Sequence, residues 1–183
     1  MKKKSDEKLK IIPLGGLEQI GMNITAFECQ DSIVLVDCGL AFPEDDMLGV
    51  DLVIPDVTYL LENADKVKGL CITHGHEDHI GAIPYILKQI NMPIYATKLT
   101  NGLIENKLKE HGMLRTVKRK VVKYGQSINL GCFRIEFIKT NHSIQDAAAL
   151  AIFSPAGIVV HTGDFKVDYT PVFGDAIRLQ RFG

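Results

Sequence analysis

The sequence has few of the features that would stabilise a chain other than by an ordinary core. Only four cysteines, Cys29, Cys38, Cys71 and Cys132, occur in 183 residues, far apart and with no C-x-x-C pair. This spacing argues against a disulfide framework and against a thiolate zinc site. No apolar run approaches the ~18 residues of a membrane helix. Lys2, Lys3 and Lys4 resemble the charged end of a signal peptide, but Ser5-Asp6-Glu7-Lys8 stands where its apolar stretch should be. Excess charge is also missing: 21 Lys and Arg against 22 Asp and Glu leave a net charge of -1, so no global field advertises nucleic acid or a membrane. Internal repeats and low-complexity segments are absent. With 46% hydrophobic and 23% charged residues, the sequence predicts a globular chain with a sizeable core, expected to be soluble, reduced and cytoplasmic.

Beyond a charged tail over residues 1–8, short apolar runs alternate with turn signals. Leu9–Leu14, Asn23–Cys29 and Ser32–Asp37 read as antiparallel strands, the last two joined at Gln30-Asp31. Val67–Thr73 is almost continuously apolar, as a strand covered on both faces should be, and Gly81–Ile90 has helical spacing. Pro93–Ala96 is a short strand. Lys98–His111 is a helix that would bury Leu99, Leu103, Ile104 and Leu108, with Gly112 to end it. Strands return at Val117–Val122, Phe133–Ile138, Ala147–Phe153 and Gly157–Thr162. Many strands with two or three helices predict two packed sheets flanked by helices.

The chemistry concentrates in His74-Gly75-His76-Glu77-Asp78-His79. Six histidines in the whole chain average about one in thirty residues, yet this window of six holds three. Imidazoles and a carboxylate are ligands for divalent metals such as zinc, and packing is a poor explanation for several polar rings at one place. His74 and His76 project to one side of an extended chain, while Asp78 and His79 can turn away where a helix begins, so two ligand pairs can serve two ions. The loop would follow a buried strand, and Gly75 and Gly81 would keep it from crowding the ions. The helical H-E-x-x-H motif fails because position 80 is Ile. His142 follows the strand Phe133–Ile138, and Asp164, in Val160-His161-Thr162-Gly163-Asp164, follows another; a carboxylate there could bridge two ions and acidify a shared water.

In order, His74/His76/Asp78/His79, His142 and Asp164 resemble the H-x-H-x-D-H, lone His and Asp pattern of the metallo-β-lactamase superfamily. The segments 15–23 (GGLEQIGMN), 37–43 (DCGLAFP), 47–56 (MLGVDLVIPD) and 161–166 (HTGDFK) resemble its ribonuclease J branch, a β-CASP group, over nearly the whole chain. The resemblance implies an α/β fold, the αββα sandwich. It places His74, His76 and His142 on one metal, Asp78 and His79 on the other, and Asp164 between them, with a metal-bound hydroxide held by Asp78, Asp164 and His79. Asp37 matches an aspartate that supports the ligand loop, the alternative being a strand-end turn residue. His161 would back the ligands from behind or be a satisfied core histidine. Gln145 stands where His-Ser-Ile-Pro would have proline, a difference of loop stiffness.

Chains of this branch continue into a β-CASP insertion and then complete the lactamase fold, with a last histidine ligand and RNA-clamping histidines in those parts. Residues 9–183 are therefore expected to be the N-terminal part of a metallo-β-lactamase domain, an incomplete sandwich of low activity with one ligand fewer at the second metal. The implied function is RNA phosphodiester hydrolysis in RNA processing and decay, 5′→3′ exonucleolytic and endonucleolytic. Its cofactors would be two divalent ions, Zn2+ first and Mn2+ as the alternative because two Asp ligands are hard donors. RNA is the implied partner, with a second copy or degradation-complex subunits beside it and no membrane. A small-substrate metallo-hydrolase such as a thioesterase, and a non-catalytic metal-binding or assembly piece, are the competing readings. Lys107, Lys109, Arg115, Lys118, Arg119, Lys120 and Lys123 form the notable basic cluster, read as a solvated helix end and strand edge rather than a phosphate surface.

Overall fold

The computed structural model describes residues 7–172 and 174–183; residues 1–6 of the expected tail lie outside this range. The chain opens with β1 (Lys10–Gly15), β2 (Ile24–Cys29) and β3 (Ser32–Val36), the antiparallel strands that the turn at Gln30-Asp31 predicts. Three parallel strands follow on the far side of β3: β4 (Val67–Cys71), β5 (Ile94–Ala96) and β6 (Arg119–Val121). Parallel neighbours need crossovers, and helices supply them. Helix α1 (Thr58–Glu62) precedes β4; α2 (Glu77–Ile80) and α3 (Ile83–Leu87) lie between β4 and β5; α4 (Lys98–Glu110) lies between β5 and β6. The second sheet is antiparallel, built from β7 (Ser127–Leu130), β8 (Phe133–Lys139), β9 (Ala148–Ser154) and β10 (Gly157–His161) in the order β10-β9-β8-β7.

The period-two alternation of β3 explains its complete burial. Ile33 and Leu35 join Leu70, Ile72, Ile83, Ile86, Ile104 and Leu108 in a core between the first sheet and its helices. Val34 and Val36 face the other way, into a second core with Phe27, Cys71, Phe133, Ile135, Phe137, Leu150 and Ile152. Side chains of opposite parity thus fill two separate layers. The four cysteines are free thiols, three of them buried in these layers. Among the described residues the outer face of the second sheet carries no α-helix; Phe182 packs there beside Ile138, Ala149 and Ala151, and Arg181 pairs with the buried Glu136. No helix in the described range is long and apolar enough to cross a membrane.

Several expectations change in detail. Helix α4 buries Thr100, Asn101, Ile104 and Leu108, with Leu103 partly buried, while Leu99 is 41% exposed: the buried stripe is rotated toward residues 100, 104 and 108. The helix expected over Gly81–Ile90 starts earlier and breaks at Gly81-Ala82 into α2 and α3. Strand β7 and helix α1 were not expected; the alternating polar residues of Ser127–Leu130 give little apolar signal before pairing with β8 reveals them. Gly75 and Gly81 do not make room for ions, since a side chain there would meet Leu103 and Leu40, both apolar packing residues. In the basic cluster, Lys107 pairs with Glu77 and Arg119 with Glu105, each at 2.7 Å, and Lys120 lies over the Tyr95 ring.

Candidate metal centre

Every candidate ligand lies just beyond the end of a strand, at one end of the sandwich. Beyond β4 the chain runs extended through Ile72 and Thr73 to His74, and His76 stands at the N-terminal boundary of α2, so that Asp78 and His79 occupy the helix itself. This four-residue helix is pinned by backbone bonds from outside. Cys38 N–H donates to the His79 carbonyl at 2.8 Å and Asn23 N–H to the Asp78 carbonyl at 3.1 Å. The approach is so close that a Cβ on Gly39 would fall 1.5 Å from the Asp78 carbonyl oxygen, which only glycine avoids. From the second sheet, His142 follows β8 and Asp164 follows β10. Their loops are joined where Lys166 N–H donates to the Asn141 carbonyl at 2.7 Å.

These placements bring together His74, His76 and His142 in one group and His74, His79 and Asp164 in another, the potential ligand atoms of each lying within 4.8 Å of one another. His74 Nε2 and His76 Nδ1 are 3.1 Å apart. Two nitrogens on a tetrahedral ion with bonds of 2.0–2.1 Å would be separated by about 3.3 Å, so the donor set and its spacing fit a divalent cation. Asp164 Oδ2 is 3.5 Å from His79 Nε2 and 3.7 Å from His142 Nε2, between the two groups. Asp78 Oδ2 lies 3.4 Å from His79 Nε2 on the solvent side.

Asp37 stands behind the rings, 1% exposed and in the left-handed region at φ 62°. His79 Nδ1 lies 2.8 Å from its Oδ2, and Thr73 donates to it through both backbone N–H (2.8 Å) and hydroxyl (2.8 Å). Asp37 thus bonds to both Thr73 and His79, at the two ends of the histidine-bearing segment. Burial works against its charge, but the His79 ring and the Thr73 N–H outweigh that and hold its pKa below the usual carboxylate range. At His79 burial again opposes charge, and the Asp37 carboxylate overcomes it, raising the imidazole. His74 is different: burial, with His79 beside it, pushes it down to about 3, so its ring is neutral. Burial also lowers His142 and His161. His161 is half-buried, edge-on to Phe27, and its Nδ1 accepts from Gly163 N–H at 3.2 Å, a bond within the loop that leads to Asp164.

Asn23, Thr73 and Asp146 contribute without having been picked out from the sequence. Asn23 Nδ2 donates to the Asp78 carbonyl and to its Oδ2, both at 3.1 Å, and lies 3.2 Å from His79 Nε2. Asp146 Oδ2 accepts from the Leu99 N–H at the start of α4, and its carbonyl accepts from Thr97 Oγ1, tying the His142 loop to that helix. Asn23 ends the first of the family-like segments, which is the signal that could have found it. A cleft of about 1210 Å³ runs from α4 along residues 142–146 and Lys139 to Lys166 and reaches the cluster at His142.

The model of the Metallo-beta-lactamase superfamily matches residues 23–177. The chain is 51% identical over 177 residues to Ribonuclease J of Synechocystis sp., covering 96% of this chain and 28% of that protein. It is 48% identical over 171 residues to Ribonuclease J 1 of Streptococcus pyogenes (93% and 30%), and 43% identical over 179 residues to Ribonuclease J2 of Bacillus subtilis (98% and 32%). The chain therefore spans less than a third of the length of these curated relatives. Among solved structures, a protein of unknown function from Enterococcus faecalis V583 superposes with a TM-score of 0.69 at 18% identity, over 87% of this chain and 44% of that one. The metallo-beta-lactamase fold protein YhfI of Bacillus subtilis does so with 0.57 at 22% identity, over 85% and 62%.

Proposed function

Because the chain belongs to the metallo-beta-lactamase superfamily, we propose that it is the metal-binding part of a ribonuclease J-type hydrolase that cleaves RNA phosphodiesters in the cytoplasm. Residues 9–183 are then the N-terminal portion of the lactamase domain. The observation that carries this reading is the convergence of His74, His76, His79, His142 and Asp164 from the strand ends of both sheets, in a chain 51% identical over 177 residues to a ribonuclease J. His74, His76 and His142 would hold one divalent ion, His79 and Asp78 a second, and the Asp164 carboxylate would reach both. When bound, such ions polarise a phosphate and acidify a coordinated water. The chain's own residues do the positioning. Asp37 keeps a proton on His79 Nδ1 and so leaves Nε2 facing the centre. Asn23 fixes the Asp78 carboxylate, and the Asn141–Lys166 bridge sets the separation of His142 and Asp164. Zinc suits the imidazoles, and the two carboxylates leave manganese as the alternative.

Metal content after exhaustive dialysis, followed by titration, tests the centre. The expected result is bound transition metal, held more tightly by the three-histidine group. A chain that retains no metal and takes none up would overturn the reading. A 5′-monophosphorylated, end-labelled single-stranded RNA tests the substrate. Slow, metal-dependent decay that disappears in His76→Ala is expected, both from the 5′ end and internally. Decay of unchanged rate in that variant would remove the loop from the reaction. Because phosphoryl chemistry depends on orientation worth about 7–11 kcal/mol, the 183-residue chain should be slow beside a full-length ribonuclease J.

A further inference from the structure

We infer that Thr73 is a positioning residue whose hydroxyl, held by Asp37, fixes His74 as its Nδ1–H tautomer and so keeps the His74 Nε2 lone pair on the candidate centre. The inference rests on the metal-binding reading above and extends it to a residue that is not itself a ligand. Thr73 is fully buried. Its Oγ1 lies 2.8 Å from Asp37 Oδ2 and 3.0 Å from His74 Nδ1. A hydroxyl has one proton, and an ionised carboxylate can only accept. The Thr73 proton is therefore committed to Asp37, in the stronger charge-assisted bond. What remains on Oγ1 is acceptor capacity, so the bond to His74 requires hydrogen on Nδ1. A neutral imidazole carries one N–H, and which nitrogen carries it follows from the partner of the other. Nε2 of His74 is left bare, 3.1 Å from His76 Nδ1.

The same carboxylate does this twice. Asp37 Oδ2 receives His79 Nδ1 directly and His74 Nδ1 through Thr73, so one buried anion presets two rings of the second group. Other contacts show why threonine suits the position. Its N–H donates to Asp37 Oδ1 at 2.8 Å and its carbonyl accepts from Ala148 N–H at 2.9 Å, at the start of β9. A Cβ built on Gly163, which has φ +56°, would lie 2.9 Å from Thr73 Cβ and 3.0 Å from its Cγ2. Thr73 therefore touches the aspartate, the first histidine, the second sheet and the loop of Asp164. Removing the hydroxyl would leave a buried N–H without a partner, so the ring would turn or change tautomer.

Thr73→Val keeps the shape and deletes the hydroxyl, whereas Thr73→Ser restores it. Long-range 1H–15N spectra of the imidazoles in the metal-free 183-residue chain should show His74 protonated at Nδ1 in the parent and in Thr73→Ser, and a loss of that form in Thr73→Val. Zinc titration of the same proteins should show affinity 10–100-fold lower for Thr73→Val and within a few-fold of the parent for Thr73→Ser, the size expected when a partner that orients a metal ligand is lost. An Nε2-protonated His74 in the parent, a Thr73→Val that binds zinc as tightly as the parent, or a Thr73→Ser as impaired as Thr73→Val would each overturn the inference. A parent chain that takes up no zinc would overturn the metal reading instead, and the tautomer spectra would still decide the role of Thr73. Should Thr73→Val fail to fold, the parent and serine spectra decide it.

Discussion

The two halves of the candidate centre are prepared in different ways. In the group of His74, His76 and His142 all three donors are imidazoles, and burial disfavours charge on two of them: His74, common to both groups, is 0% exposed with its pKa pushed down to about 3, and His142 is lowered as well. Lone pairs on His74 and His142 are thereby freed of competing protons more readily than on an ordinary imidazole. The other half is anchored by His79, whose pKa is raised by Asp37, and it is completed by Asp78 and Asp164, which are open to solvent with the Asp164 side chain 48% exposed. There an ion competes with water and with the proton that Asp37 favours on His79. The expected consequence is tighter retention of an ion by the first group than by the second, with metal affinity of the second linked to pH through His79.

The sharpest way to break this comparison is to remove the residue behind both halves. Asp37→Ala should destabilise the metal-free chain by roughly 3–5 kcal/mol in urea unfolding, because it strands a raised His79 and two Thr73 donors in the interior. Metal uptake should fall in both groups; a selective loss from one would show that Asp37 serves only that half. Next in size, His142→Ala should abolish the tight site and leave a weaker one, whereas Asp164→Ala should cost the weaker site more than the tight one, as read by metal stoichiometry and affinity. A smaller effect separates the halves by pH. His79 has a raised pKa, so its contribution to the fold is complete below about 6.5 and fades as pH rises through the raised value. Asp37 is lowered, so its contribution is present above its ordinary value and fades as pH falls through the lowered one. Zinc affinity of the weaker site should therefore drop as pH falls through the His79 value, with a proton released on binding, while the lowered His74 and His142 keep their donors to lower pH. Isothermal titration on either side of that value measures this, and parallel declines would erase the distinction. Least is expected from Lys107→Ala: its pair with the half-exposed Glu77 should be worth no more than about 1 kcal/mol in unfolding experiments.

The candidate cluster was legible because its signal is local. His74, His76, Asp78 and His79 fall within six residues, and His142 and Asp164 each follow a recognisable strand. The two-layer sheet architecture was legible for the same reason, through runs such as Ser32–Val36 and Val67–Cys71. What the sequence could not display were partnerships closed over distance. Asn23 meets Asp78 across 55 positions and Thr73 meets Asp37 across 36. In the sequence each is one ordinary polar residue beside apolar ones. Glycine was misread for a related reason: Gly75 was assigned to the ions, but its open side faces Leu103, a residue known to be nearby only once α4 is folded against the loop. Leu99 shows the remaining error, since a helix of mixed composition has no sharp apolar stripe and tertiary packing chooses its phase.

The donors come from both sheets: His74, His76 and His79 from the first, His142 and Asp164 from the second. An ion shared by His74 and His142 would be a clasp across the seam of the sandwich, at the end opposite Gly131, where Cys132 N–H already donates to Ser32 Oγ across the same seam. A ligand that binds only the closed form stabilises it by about 2.7 kcal/mol at a hundredfold excess over its Kd. Metal supply would then set how firmly the two layers stay together as well as the state of the site, and a chelator would act on this chain as a mild denaturant, opening it first at the strand ends that carry the histidines.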